Sequence, residues 1–395
     1  MNPQSAYEHR TEKLYETDGL MTEFDAEVIS CESDEKGFFV ELDRTAFFPE
    51  GGGQDSDVGC LGEGIISHVG ISDGRIIHTS DREFSVGEKV HGKIDANLRR
   101  RRMQHHGGEH IISGLIHSLF GIENAGFHMS DKEITIDTAA PLTAEMLDTV
   151  EHRANEAIWE NRRIRCYYPT PEELASLEYR SKTELSGEVR IVEIDGYDRC
   201  ACCAPHLEYT GQIGIIKIKG FIKYKKGVRI TVAAGEDAFD SFKAIAKNAS
   251  AVARLYSVQP EEIYDAICRR EEQFSAKLTE LHELKESLLS EKLKAIKPTD
   301  GNICVFEDGC DSSLLKKLAN DGAALAKGVF AAFSDNGRGG YNYVVVSSAE
   351  ELSPLAASMR QSLGGRGGGK GTMISGFVEA DRETVENFFN QKEAE

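Results

Sequence analysis

Between residues 22 and 93 apolar and polar positions alternate over short stretches, FDAEVISCES, GFFVELDRTAF, GIISHVGISDGRIIHT and GEKVHGKIDA, each closed by turn residues. A period of two belongs to half-buried strands, and several such strands at close spacing predict a small barrel or sandwich. Among them, FFPEGGGQDSDVG is too rich in glycine for a strand interior and reads as a loop. Residues 94–235 change period. LRRRRMQHHGGEHIISGLIHSLF and TAEMLDTVEHRANEAIWENR repeat at helical spacing, while EVRIVEI, IGIIKIKGFIKY and GVRITVAAG read as strands, so this stretch is an α+β domain.

Residues 236–298 are charge-rich and hold no glycine, and Ile267, Phe274, Leu281 and Leu288 recur every seven residues with Leu278 in the seam between them. Glu271 and Lys285 interrupt that seam, which predicts a long helical arm or a helical hairpin rather than an ideal coiled coil; Pro298 ends it. Residues 299–395 alternate strands (ICVFEDG, GVFAAFSDN, YNYVVVSS, ISGFVEA) with a helical stretch and read as a small α/β domain. The expected fold class is therefore α+β multidomain: small barrel, α+β metal-binding domain, helical arm and C-terminal small α/β domain.

At 395 residues the chain is long enough for roughly two to four domains with real cores. The polar start lacks the pattern of a signal peptide and no stretch approaches the ~18 apolar residues of a membrane span, so a cytoplasmic protein without a membrane partner is expected. Nine cysteines, three of them crowded into CACC, favour reduced thiols and a metal over disulfides. A net charge of −20 argues against general adhesion to nucleic acid or anionic lipid. It leaves room for local basic surfaces. Arg99, Arg100, Arg101 and Arg102 form an unbroken run, and Lys217, Lys219, Lys223, Lys225, Lys226 and Arg229 cluster further on; the alternative for each is an ordinary solvated face.

The chemistry concentrates in two motifs of equal spacing. His106 and His110 lie four residues apart on a helical stretch and so share a face, and Cys202 and His206 repeat the interval in CACCAPH. Nitrogen donors joined by a soft sulfur suit zinc. Cys200 and Cys203 are rival ligands, but the matched spacing favours Cys202. His106 to His110 also reads as H-x-x-E-H, the signature of an inverted zinc metallopeptidase with Glu109 as base. That reading explains neither the CACCAPH cluster nor the GGGQ loop. Nor does it account for Gly107 and Gly108, which would cost a helix about 2 kcal/mol relative to alanines unless something approaches the backbone there. In the last domain GGRGGGKGT is not a nucleotide-hydrolysing loop, because Gly371 follows Lys370 where a hydroxyl residue belongs. Its amides, with Arg366 and Lys370, suit a phosphate backbone, against the alternative of a flexible loop.

These motifs together resemble the long form of the free-standing alanyl-tRNA editing proteins, AlaX. LDRTAFFPEGGGQDSDVG is similar to the family's T-x-F-Y-P-E-G-G-G-Q-x-x-D-x-G segment, RMQHHGGEHIISG to its R-M-Q-x-H-T-x-E-H helix, DRCACCAPHLEYTGQIGIIKI to its C-G-G-T-H…T-G-x-I-G strand and loop, and LGGRGGGKG to the glycine-rich end of the C-terminal domain of alanyl-tRNA synthetase. The chain departs from the pattern at Gly107 and at Ala204-Pro205, where the family has Thr and Gly-Thr. The resemblance implies a trans-editing hydrolase that deacylates Ser-tRNA(Ala), and Gly-tRNA(Ala), without ATP and without charging tRNA. It implies zinc on His106, His110, Cys202 and His206, and Thr45 and Gln54 near the aminoacyl group, Thr45 reading the serine hydroxyl. Glu109 ranks below the metal as base, since a residue next to His110 on a helix points about 100° away from it. The tRNA would be held at Arg99 to Arg102, Lys223, Lys225, Arg366 and Lys370, and the arm and C-terminal domain would support a homodimer. The organisation expected is then residues 1–93 as the barrel with the GGGQ loop, 94–235 as the zinc editing domain, 236–298 as the arm and 299–395 as the tRNA-binding domain. A metallopeptidase and a non-catalytic tRNA-binding zinc protein are the alternatives.

Overall fold

The computed structural model describes residues 11–35, 37–130, 132–181 and 188–391. The first ten residues, on which the absence of a leader was read, lie outside them. The chain divides into two compact units, Met1–Ala251 and Val252–Glu395.

In the first unit, strands Glu23–Asp34, Gly37–Leu42, Arg75–Ser80, Gly64–Ser72, Gly59–Leu61 and Lys89–Ile94 close, in that spatial order, into a barrel. Strict alternation drives it. In Lys89–Ile94 the inward residues Val90, Gly92 and Ile94 are buried and the three between them exposed. The barrel core gathers Val28, Val40, Leu42, Phe47, Leu61 and Ile66.

The helix Ala96–Phe120 follows directly. Asp95 caps its start by accepting from the amides of Asn97 and Leu98 at 3.1 and 3.0 Å, and Gly121, in the left-handed region at φ 65°, ends it. With the helix Ala144–Trp159 it packs on a four-stranded antiparallel sheet ordered Ile216–Tyr224, Gly227–Ala234, Ile134–Thr138 and Asn124–Met129. The apolar face of this assembly, Ile111, Ile112, Leu115, Ile134, Ile230 and Val232 among others, is a second core. Gly107 and Gly108 meet it. A Cβ on Gly107 would lie 3.0 Å from Ile213 Cδ1 and one on Gly108 3.1 Å from Ala234 Cβ, which is the close approach the sequence predicts. A three-stranded antiparallel sheet, Ile164–Tyr167, Ile191–Ile194 and Asp198–Ala201, carries the cysteine cluster at its last strand. Cys202 packs against both cores, so the ligand loop sits where barrel and α+β layer meet.

The predicted arm is two helices, Gly235–Tyr256 and Ile263–Ala295. Ser257, at φ 56°, and Pro260 break the continuity. The boundary between the two units falls within the first of these helices.

The second unit is a five-stranded sheet ordered Ile303–Phe306, Val329–Asp335, Tyr341–Ser347, Met373–Val378 and Arg366–Gly368, with one parallel pair at the start. Alternate residues of Val329–Asp335 supply its two faces. Phe330 and Ala332 join Leu289, Leu293, Leu314 and Leu318 on one side, while Ala331 and Phe333 join Met359, Val385 and Phe389 on the other. The glycine-rich run is partly an edge strand rather than a loop throughout, Arg366–Gly368 pairing with Phe377 to Ser375. A Cβ on Gly367 would lie 2.2 Å from the Tyr343 hydroxyl, so glycine there serves close packing. No helix among the described residues is long and apolar enough to cross a membrane.

Candidate metal centre

The helix Ala96–Phe120 holds the rings of His106 and His110 nearly parallel, with centroids 5.1 Å apart. The loop after Asp198–Ala201 brings the second pair to them. Cys202 Sγ lies 3.5 Å from His106 Nε2 and 3.3 Å from His206 Nε2. One donor atom from each of the four residues falls within 4.8 Å of the others. The three histidines are buried and Cys202 is half-buried. Of the rival cysteines, Cys200 joins a different grouping, with His110 and Asp198, and burial pushes its thiol up to about 11. Cys203 is exposed.

The outward ring nitrogens settle how the helix histidines face the cluster. His106 Nδ1–H donates to Gln54 Oε1 at 2.8 Å and His110 Nδ1–H donates to Asp198 Oδ2 at 2.8 Å, so in the neutral imidazole Nε2 is the acceptor nitrogen that each ring turns toward the cluster. His110 Nε2 is buried with no hydrogen-bond partner. Leaving such an atom bare costs roughly 1–3 kcal/mol. A cation among these donors removes that cost, and three imidazoles with one thiol fit zinc in chemistry and in number. Beside the cluster the described residues leave a cleft of 390 Å³, bordered by His106, His110, Cys202, Gly51, Gly52 and Tyr168.

Thr45 and Gln54 are both fully buried, in different settings. Gln54 lies directly behind His106, and its Nε2 has no hydrogen-bond partner. Thr45 is tied to a residue absent from the sequence reading. Its hydroxyl donates to His78 Nε2 at 2.8 Å and accepts from the Phe47 amide at 3.1 Å, while His78 Nδ1–H donates to the Val40 carbonyl at 3.0 Å. Burial holds His78 down at about 4 and therefore neutral. The alternation Ile76, His78, Ser80 along its strand is the signal that points it inward. Glu109 is buried, and its Oε1 accepts from Ser113 Oγ and Asn124 Nδ2, both at 2.8 Å. That engagement gives the peptidase reading no support.

The arginine run is corrected by its burial. Arg99 has a side chain with no exposed surface, and its Nε lies 3.0 Å from both oxygens of Asp57. Arg102 is buried, donating to the Ser56 carbonyl. Arg101 is largely covered and paired with Asp237 at 2.6 Å, which leaves Arg100 as the open side chain of the four. No phosphate in solution reaches Arg99. Of the second cluster, Lys217, Lys219 and Arg229 pair with Glu151, Glu133 and Asp137. Lys223 and Lys225 are exposed at the tip of the hairpin formed by Ile216–Tyr224 and Gly227–Ala234. Arg366 and Lys370 are exposed in the second unit.

Residues 189–231 match the family model described as "Threonyl and Alanyl tRNA synthetase second additional domain". Over 390 residues, 95% of this chain and 42% of the other, the sequence is 30% identical to the alanine-tRNA ligase of Ignicoccus hospitalis. It is 31% identical over 333 residues to that of Thermococcus kodakarensis, covering 78% of this chain and 36% of the other. The chain thus spans about two fifths of the length of the curated relatives it matches. A crystal structure of the C-Ala domain of Aquifex aeolicus alanyl-tRNA synthetase matches 22% of this chain and 87% of that domain, at 20% identity and a TM-score of 0.20.

Proposed function

This chain is an AlaX-like relative of the editing and C-terminal domains of alanyl-tRNA synthetase, and from that premise we propose that it deacylates tRNA(Ala) mischarged with serine or glycine. The observation that carries the proposal is the convergence of His106, His110, Cys202 and His206 in one buried cluster, with the histidines of the helix already turned toward it.

The reaction is ester hydrolysis and needs no ATP. His106, His110, Cys202 and His206 would hold a zinc ion, which would supply Lewis acidity to the hydrolysis once a coordination position is open to the ester or to water. The chain's own groups then divide the remaining work. Gln54 keeps His106 oriented and has an Nε2 donor to spare for the aminoacyl group. The Thr45 hydroxyl gives its proton to His78 and one lone pair to Phe47 N–H, so it has one lone pair left for a donating serine hydroxyl. Alanine offers no such donor, which is the basis for preferring serine over alanine; glycine lacks the hydroxyl as well and gains nothing from Thr45. Arg100, Lys223, Lys225, Arg366 and Lys370 would meet the tRNA backbone, and homodimerisation belongs to the helix Ile263–Ala295, along which Phe274, Leu278, Leu281 and Leu288 are exposed. The place of action is the cytoplasm.

The test is deacylation of Ser-tRNA(Ala), Gly-tRNA(Ala) and Ala-tRNA(Ala) by protein of measured zinc content, beside Cys202→Ala. Selective release of serine that vanishes in the variant is the expected outcome. Intact Ser-tRNA(Ala) in the presence of bound zinc would sink the proposal. Given alanine, ATP and tRNA, the same 395 residues are expected to form no Ala-tRNA.

A further inference from the structure

His106 and His110 stand on one helix, yet their outward nitrogens meet chemically different partners: a neutral amide, Gln54, and a carboxylate, Asp198. Asp198 is in turn gripped by the guanidinium fork of Arg180, Nε to Oδ1 at 2.7 Å and Nη2 to Oδ2 at 2.8 Å. The side chains of Asp198 and Arg180 are 2% and 10% exposed. A two-point fork fixes the plane of the carboxylate as well as its position. Oδ2, shared between arginine and imidazole, can then meet His110 Nδ1–H from one direction.

Three chain segments converge on that single hydrogen bond. Gly114 lies one turn beyond His110 on the same helix face. A Cβ there would sit 2.2 Å from the Tyr197 carbonyl oxygen and 2.7 Å from Asp198 Cβ, so glycine at 114 is what lets the strand carrying Asp198 come against the helix. Arg180 is laced to that strand by its own backbone. Its N–H donates to the Arg199 carbonyl at 2.8 Å, and its carbonyl accepts from Ala201 N–H at 2.9 Å. Buried ion pairs of this kind are seldom the cheapest way to stabilise a fold, since an apolar replacement of similar shape often does as well or better. The pair has a more specific use here.

We infer that Asp198 and Arg180 are positioning residues: the anchored carboxylate holds His110 in the tautomer and ring orientation that aim Nε2 at the other three donors. His110 is thereby the firmest anchor of the cluster, and His106, backed by an uncharged amide, is the more loosely held. The inference rests on the reading of the cluster as a zinc site. Partners of this kind behind a metal-bound histidine are worth about 10–100-fold in metal affinity.

The experiment uses the full chain. Zinc affinity is measured by competition with a chromogenic chelator, the visible spectrum of the cobalt(II)-substituted protein reports the donor geometry, and circular dichroism checks folding. Asp198→Asn is expected to hold zinc about 10–100-fold more weakly and to shift the cobalt bands. Gln54→Met should lose less affinity than Asp198→Asn. A folded Asp198→Asn with affinity within twofold of the parent and unchanged cobalt bands would overturn the inference, leaving Asp198 a tie between strands. Should Asp198→Asn fail to fold, Arg180→Met decides. It keeps the carboxylate and removes its anchor, and a severalfold loss of zinc with altered cobalt bands is expected, whereas parent values in both would overturn the inference. A parent protein that binds no zinc at all is the separate failure of the metal reading, and the inference falls with it.

Discussion

The two units of this molecule treat polar side chains in opposite ways. Residues up to 251 bury Asp57, His78, Arg99, Arg102, Glu109, His110, Arg190 and Asp198, several of them charged. In the unit from 252 onward the polar side chains buried among the described residues are Ser334 and Ser347, with the Tyr343 hydroxyl besides. Its core is otherwise apolar, mostly Leu, Val, Phe and Ala on the two faces of one sheet. Removing a charge from water is expensive, and a buried pair recovers that cost only with good geometry and further hydrogen bonds. A unit that buries many charges is therefore organised to hold particular atoms in particular places, around the His/Cys cluster and the Thr45 hydroxyl. The unit that buries almost none carries its charge on the surface, Arg366 and Lys370 among the exposed residues.

The contrast breaks most visibly at Arg99. Arg99→Met leaves Asp57 buried without its guanidinium, and the expected loss is about 3–5 kcal/mol from the first unit alone. Calorimetry of the full chain should show its transition move down while that of the second unit stays; no shift in the first would mean that the buried pair positions nothing. Acid should act in the same lopsided way, at a somewhat smaller scale. His78 has a folded value of about 4 against an ordinary 6.5. The unfolded chain therefore takes up a proton first. The contribution is fully present above pH 6.5 and is lost as pH falls toward 4, up to about 3 kcal/mol. Urea melts at pH 7, 5 and 4 would show the loss in the first unit, and His78→Gln should abolish this part of the pH dependence. At the gentle end, Arg366→Ala with Lys370→Ala should leave stability within about 0.5 kcal/mol. If these side chains meet phosphates, the slope of log affinity for tRNA against log salt should flatten by about 1 for each contact removed. An unchanged slope would remove the second unit from the binding surface.

Legibility in the sequence follows the same division. The pairs His106/His110 and Cys202/His206 could be read because ligand spacing is local and helical geometry converts four residues into one face. The alternation of residues 22–93 pointed to strands where the barrel strands lie, and an inward His78 was there to be read in Ile76-His78-Ser80. The arginine run misled, since four adjacent guanidinium groups look alike in a sequence. Arg99 is buried only because Asp57, 42 residues earlier, waits for it inside. The glycine run Gly364 to Gly371 was legible only in part, for a related reason. Gly367 is glycine because Tyr343 stands against it.

The sequence by itself determined which residue types repeat at which local interval, and with them the ligand motifs, the strand and helix periods and the AlaX resemblance, because backbone geometry converts short intervals directly into faces. Only the tertiary structure decided which cations are buried and what stands behind each ligand. Gln54 reaches His106 across 52 residues and Asp198 reaches His110 across 88. Hydrogen bonds and desolvation depend on neighbours in space, and no local interval encodes those.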